Sequence, residues 1–326
     1  MRALVAGLAL AAAAAAVHAQ PSGKVHRVGV LVFAEPISPE GPAMRSVWQG
    51  LREFGYVKGR NVEVVVRSAE NRGERLPALA AELLAQKVDV LLAGSTPGAL
   101  AAKHATSAVP IVFAGVLDPV GSGIVPSLAR PGGNITGVTA GIGGEGFTAK
   151  CIEVLRETVP GISRVAMLVN PRYPLSRQFR NEVREVENVL KMKFEVHDAA
   201  NAEALESALA AIGASQTQAI FVAPDPFLTA SSGRIARFAA ERRLPSLHYS
   251  ARFADAGGLV SYGGSLDESY RRAAGHVDRI LRGTKPADLP IEQPTRFELV
   301  VNLRTAKAIG VQIPSSIVSR ADRTIR

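Results

Sequence analysis

The chain has 326 residues, of which 47% are hydrophobic, 21% charged and 5% aromatic, with a single Cys and a formal net charge of +9. These proportions exclude a disordered tail protein, a collagen-like repeat and a small disulfide-stapled scaffold. The length suffices for one large core or two medium ones, and two lobes are expected because domains usually hold about 100–200 residues.

At the start, Arg2 precedes an apolar run from Ala3 to Val17, and Val17-His18-Ala19 places small residues at the minus-three and minus-one positions of a cleavage site before Gln20. This pattern predicts a secretory signal. The run is shorter than the roughly 20 residues that cross a bilayer, and no basic stop-transfer flank follows it. No Cys stands near the cleavage site to carry a lipid, so a soluble, periplasmic mature protein is expected.

From Arg27 onward, Val- and Ile-rich runs alternate with Ala-rich helical stretches, the rhythm of βα units around a parallel sheet. Strands are predicted at Arg27 to Phe33, Asn61 to Arg67, Val88 to Gly94, Ile111 to Val116 and Asn134 to Thr139. Several lack polar alternation, as strands buried on both faces do. Between the first two, Met44, Val47, Trp48 and Leu51 recur at helical spacing, which assigns Trp48 to the core. The Ala129-Arg130-Pro131-Gly132-Gly133 stretch is a candidate hinge.

Cys151 has apolar neighbours and no His close in sequence, so it reads as a small core filler on a helix. A second set of strands follows at Arg164 to Val169, Lys193 to His197, Ala219 to Ala223, Pro245 to Tyr249 and Leu259 to Tyr262. Helices are predicted at Ser176 to Leu190, with Phe179, Val183, Val186 and Leu190 on one side, and at Asn201 to Ile212 behind an Asn N-cap. Tyr262-Gly263-Gly264 is a second hinge candidate. Ser265 and Glu268 then form a capping box before a helix with the stripe Tyr270, Ala274, Val277 and Leu281. The tail supplies a strand from Phe297 to Val301 and a short helix from Leu303 to Ile309, closed by Gly310.

In open parallel sheets, ligands bind beyond the carboxyl ends of strands, and here those positions are polar. Ser95-Thr96-Pro97 follows the third strand and offers hydroxyls and helix-start N–H groups as an anion cradle. Asp118 follows the fourth, Asn170 with Tyr173 the sixth, Asp225 the eighth and Tyr249-Ser250 the ninth. Donors on one side and a carboxylate on the other match a zwitterion such as an amino acid. Each residue also has an ordinary structural reading: N-caps for Ser95 and Thr96, Asx-turns before Pro for Asp118 and Asp225, loop structure for Asn170 and Tyr249. Tyr173, Phe33 and Tyr262 read more readily as core.

Catalytic and cofactor readings find little support. Ala93-Gly94-Ser95-Thr96-Pro97 stands where a nucleophile elbow would, without its flanking glycines. No His pair has metal-ligand spacing, no P-loop exists, and no GxGxxG follows the first strand, so no catalytic residue, metal or cofactor is assigned. Basic residues are thinly spread, with Arg242-Arg243 and Arg271-Arg272 the densest pairs, and no aromatic-interleaved stripe stacks bases. No nucleic acid is expected as partner; the charge serves solubility and attraction to an anionic cell surface.

Two blocks carry a family resemblance. One runs Pro110-Ile111-Val112-Phe113-Ala114, Asp118-Pro119-Val120 and Ser127 to Val138; the other is Leu299 to Lys307 with Ile313-Pro314. Together they resemble the ABC-transporter substrate-binding family that includes tryptophan- and tyrosine-binding proteins. The resemblance implies an α/β type I periplasmic-binding fold of two doubly wound parallel-sheet lobes joined by a three-crossing hinge. Residues 24–137 plus 264–294 would form lobe one, and 138–263 plus 295–326 lobe two. A small-molecule ligand would lie between lobes, against Ser95, Thr96, Asp118, Asn170, Tyr173, Asp225 and Tyr249, and a membrane permease would receive it from a monomer. Aromatic specificity finds no indole sandwich in the sequence, since no Trp other than Trp48 is present. A ligand-sensing module, or an exported enzyme using Asp118 and Asp225 as acid and base, are the alternatives.

Overall fold

The computed structural model describes residues 24–34, 41–141 and 146–326. The predicted secretory signal lies outside the described residues. The first sheet holds β1 (His26–Val32), β2 (Val62–Ser68), β3 (Val90–Gly94), β4 (Ile111–Val116) and β5 (Ile135–Thr139), parallel and in the order β2-β1-β3-β4-β5. The second holds β6 (Arg164–Val169), β7 (Lys193–Asp198), β8 (Ala219–Val222), β9 (Ser246–His248) and β10 (Val260–Gly263), extended by β11 (Glu298–Asn302) and β12 (Arg323–Ile325). Its order is β12-β11-β10-β9-β8-β6-β7. Without the two tail strands this repeats the first sheet, and only β11 runs antiparallel to its neighbour β10. The type I periplasmic-binding architecture implied by the resemblance is therefore present.

Composition explains the layering. Every residue of β3, β4, β8 and β9 is buried, whereas the edge strands β2 and β7 are partly exposed. Strands apolar throughout require cover on both faces. On the first sheet, α1 (Pro42–Glu53) packs Met44, Val47 and Leu51 on one face, while α2 (Leu76–Ala85) and α3 (Ser95–Ala105) cover the other. On the second, α4 (Phe147–Thr158) and α5 (Ser176–Leu190) oppose α6 (Ala202–Ala214), α7 (Pro226–Ala230) and α8 (Ser232–Glu241). Asn201 caps α6 as its sequence position predicts, its Oδ1 accepting the Ala204 N–H at 2.9 Å. Cys151 on α4 is fully buried, and burial pushes its thiol well above the usual range.

Three expectations need correction. Trp48 is half-buried at the edge of the core, with Lys58 Nζ 5.9 Å from its ring centroid. The capping box of α10 (Leu266–Leu281) is half made: Ser265 Oγ accepts the Glu268 N–H at 3.2 Å, but Arg271 takes the Glu268 carboxylate at 2.6 and 2.8 Å. Pro131-Gly132-Gly133 joins β4 to β5 within one sheet, so it is a turn and not a crossing between sheets.

Although α10 follows a strand of the second sheet, its Tyr270, Ala273, Ala274 and Val277 pack on the first. The chain thus crosses between sheets after β5, after β10 and before β11. These crossings touch. A Cβ on Gly264 would lie 2.4 Å from the Ala140 carbonyl oxygen, and Glu292 exchanges backbone hydrogen bonds with Gly137 and Thr139 at 3.0 and 2.8 Å.

Candidate functional site

Because both sheets aim their carboxyl ends at each other, the loops after β1, β3 and β4 face those after β6, β8 and β9 across one cavity. Its free volume is about 70 Å³. A single buried water needs roughly 10–15 Å³, so the space admits more than one ordered water.

On the first lobe, Ser95 opens α3 in the left-handed region, at φ +68°. A non-glycine residue there stores about 1–3 kcal/mol of strain. Its hydroxyl is buried on the cavity wall without a hydrogen-bond partner. The strained strand-to-helix turn forms without the glycines of a nucleophile elbow. Beside it, Thr96 Oγ1 accepts the Leu117 N–H at 3.3 Å and the Tyr173 O–H at 2.9 Å. Gly94 just ahead packs against Tyr270: a Cβ would lie 2.0 Å from the Tyr270 hydroxyl oxygen, so the ring would have to shift to admit one.

On the second lobe, Asp225 caps α7, its Oδ1 accepting the Leu228 N–H at 2.8 Å and its Oδ2 the Asn170 Nδ2–H at 3.1 Å. Burial raises its carboxyl to about 6, against the lowering effect of those bonds. Pro226 and Thr229 of the same helix reach the wall. Thr229 Oγ1 donates to the Asp225 carbonyl at 2.7 Å and lies 3.5 Å from both the Tyr249 hydroxyl and His248 Nε2. His248 Nδ1 accepts the Ser250 N–H at 3.1 Å, which leaves the ring proton on Nε2, and burial lowers its pKa to about 3.

Of the residues singled out in the sequence, Ser95, Thr96, Tyr173 and Tyr249 meet on this cavity. Asn170 and Asp225 bond to each other behind it and are not among its lining residues. Asp118 does not line it either. Its Oδ1 accepts the Val120 and Gly121 N–H groups at 3.1 and 2.8 Å, the Asx-turn geometry. Phe33 lines the cavity, whereas Tyr262 lies between Phe147 and Phe297, with ring centroids 6.4 and 5.7 Å away.

Tyr270, Thr229 and Arg252 are cavity residues that sequence reasoning missed. Tyr270 follows the apolar stripe of α10 and looks like core. Thr229 stands one turn beyond Asp225, and that helical spacing was the available signal. With Phe33, Tyr173, Tyr249 and Tyr270, four rings gather at the wall, an aromatic enclosure that the overall content does not suggest.

A family model described as ABC transporter substrate binding protein matches residues 27–325. A tyrosine-binding protein of Clostridioides difficile (strain R20291) is 24% identical over 300 residues, 89% of this chain and 83% of that protein. Among solved structures, an ABC domain in complex with L-Trp from Streptococcus pneumonia has a TM-score of 0.82 at 22% identity, covering 92% of this chain and 99% of that one. The ligand-free, open structure of a substrate-binding protein with adhesive properties from Clostridium difficile gives 0.66 at 21% identity, covering 93% and 99%.

Proposed function

The chain belongs to the ABC transporter substrate-binding protein family, and from that premise we propose that it is the extracytoplasmic component of an importer, with a ligand that joins an aromatic body to a carboxylate. Amino acids with aromatic side chains are the first candidates. The observation that carries this reading is Ser95: a strained residue whose buried hydroxyl is unpartnered, at the start of α3, on a wall shared by both lobes. Helix-start N–H groups carry partial positive charge, so this corner suits an anionic group, while Phe33, Tyr173, Tyr249 and Tyr270 suit the body of the molecule.

Function would follow from closure. The adjacent crossings form the hinge, and a ligand touching both lobes favours the closed arrangement by its differential affinity for it. A membrane permease would read the closed shape, in the periplasm, from a monomer. No bond of the ligand would be made or broken.

The test is a thermal-shift and calorimetric screen of the protein from Gln20 onward against aromatic amino acids and aromatic carboxylates. A ligand that binds only the folded state raises the melting temperature, by about 2.7 kcal/mol of stabilisation at one hundred times its Kd. The expected result is a saturable shift with the ligand recovered unchanged, and a response weakened about tenfold in Ser95→Ala. Chemical conversion of the ligand, or binding indifferent to Ser95, would refute the proposal.

A further inference from the structure

Hydrogen-bond counting at Thr96 assigns a direction to the cavity. A threonine hydroxyl has two accepting sites and one proton. The Leu117 N–H fills one site at 3.3 Å and the Tyr173 O–H fills the other at 2.9 Å. Thr96 is 1% exposed and stands on the cavity wall, so the capacity it has left is its proton. The first of these donors belongs to its own lobe and the second to the opposite lobe. The second accepting site is therefore filled by the opposite lobe when Tyr173 lies within reach of Thr96, as it does here. Tyr173 is itself 3% exposed, and burial holds its phenol protonated.

We infer that Tyr173 is a positioning residue for ligand selectivity: on closure it converts Thr96 from a hydroxyl that can accept or donate into one that only donates. The ligand atom facing Thr96 must then be an acceptor, and so must the atom facing the N–H groups that open α3; the two oxygens of a carboxylate meet both demands, whereas a carboxamide has one acceptor and one donor. A carboxamide can meet Thr96 through its oxygen, but its NH₂ then turns onto the N–H groups that open α3, donor against donor. Ser95, whose hydroxyl is unpartnered, keeps both capacities and cannot impose this choice. The inference rests on the cleft being the ligand site, and it goes further by naming the residue that sets the polarity of recognition.

The experiment compares three matched pairs, L-tyrosine, L-tryptophan and 4-hydroxyphenylacetate with their primary amides, by calorimetry on wild type and Tyr173→Phe. Wild type is expected to prefer the carboxylate of a binding pair by about 10- to 100-fold, the range for an unpaired buried donor. In Tyr173→Phe, Thr96 regains an accepting site, so that preference should shrink at least fivefold, whatever happens to affinity overall. A purely structural role would weaken both members equally; an unchanged ratio overturns the inference while leaving the cleft reading intact. Failure of all six probes to bind wild type overturns the aromatic-carboxylate reading, and the inference with it. Thr96→Ser, which keeps the hydroxyl, should keep the wild-type ratio, and a collapsed ratio there also counts against it.

Discussion

Arg252 on α9 (Ala251–Asp255) and Asp267 in the first turn of α10 form an ion pair at 2.8 Å that ties the second lobe to the first at the edge of the cavity. Their side chains are 31% and 57% exposed. Ion pairs in such surroundings contribute about 0–1 kcal/mol. Asp267→Asn should therefore weaken ligand binding by less than about fivefold, chiefly through faster release. Stopped-flow measurements should show the effect fading as ionic strength approaches 1 M, where charges are screened within about 3 Å.

Ser95 carries backbone strain at the proposed ligand site. Glycine adopts φ +68° without the steric cost that serine bears, so Ser95→Gly should raise the melting temperature by a few degrees, about 1 kcal/mol, while weakening ligand binding about tenfold. Calorimetric melting with and without ligand checks both arms; a variant less stable than wild type would show that the backbone there is unstrained.

Gly94 and Tyr270 should be coupled. Gly94→Ala places a methyl group 2.0 Å from the Tyr270 hydroxyl oxygen and, as an overpacked site, should cost about 1–3 kcal/mol. In a Tyr270→Phe background the obstructing oxygen is gone, and the same substitution should cost clearly less. Urea unfolding of the four proteins gives the coupling directly, and strict additivity would contradict the geometry.

Two buried groups give stability opposite pH dependences. His248 falls from 6.5 to about 3 on folding, so the unfolded chain binds the extra proton between those values; its contribution is complete above 6.5 and lost as pH falls toward 3. Asp225 rises from 3.8 to about 6, so the native state holds the extra proton there; its contribution is present below 3.8 and lost as pH rises through 6. From pH 8 to pH 5, the stability advantage of wild type over His248→Asn should shrink by about 2 kcal/mol, and that over Asp225→Asn should grow by about 1 kcal/mol. Denaturant titrations at both pH values test the two signs.

Much of the scaffold was legible in the residues themselves. Unbroken apolar runs such as Ile111 to Val116 mark strands covered on both faces, and Asn201 and Ser265 mark helix starts through side-chain caps that form as their positions predict. The polar residues after β3, Ser95 and Thr96, follow from the rule that parallel sheets present strand ends to ligands. These features are local, fixed by the backbone needs of a few neighbouring residues. The return of α10 to the first sheet entered through the family resemblance, and the Asx-turn at Asp118 is local; tertiary structure alone decided that Asp225 bonds Asn170 behind the cavity and that Tyr173 reaches across to Thr96. Periodicity reports that a side chain points away from water, and a residue facing a closed cleft obeys the same periodicity as one facing a core. Tyr270 therefore looked like packing until two sheets, assembled from segments distant in the chain, placed a cavity against its ring.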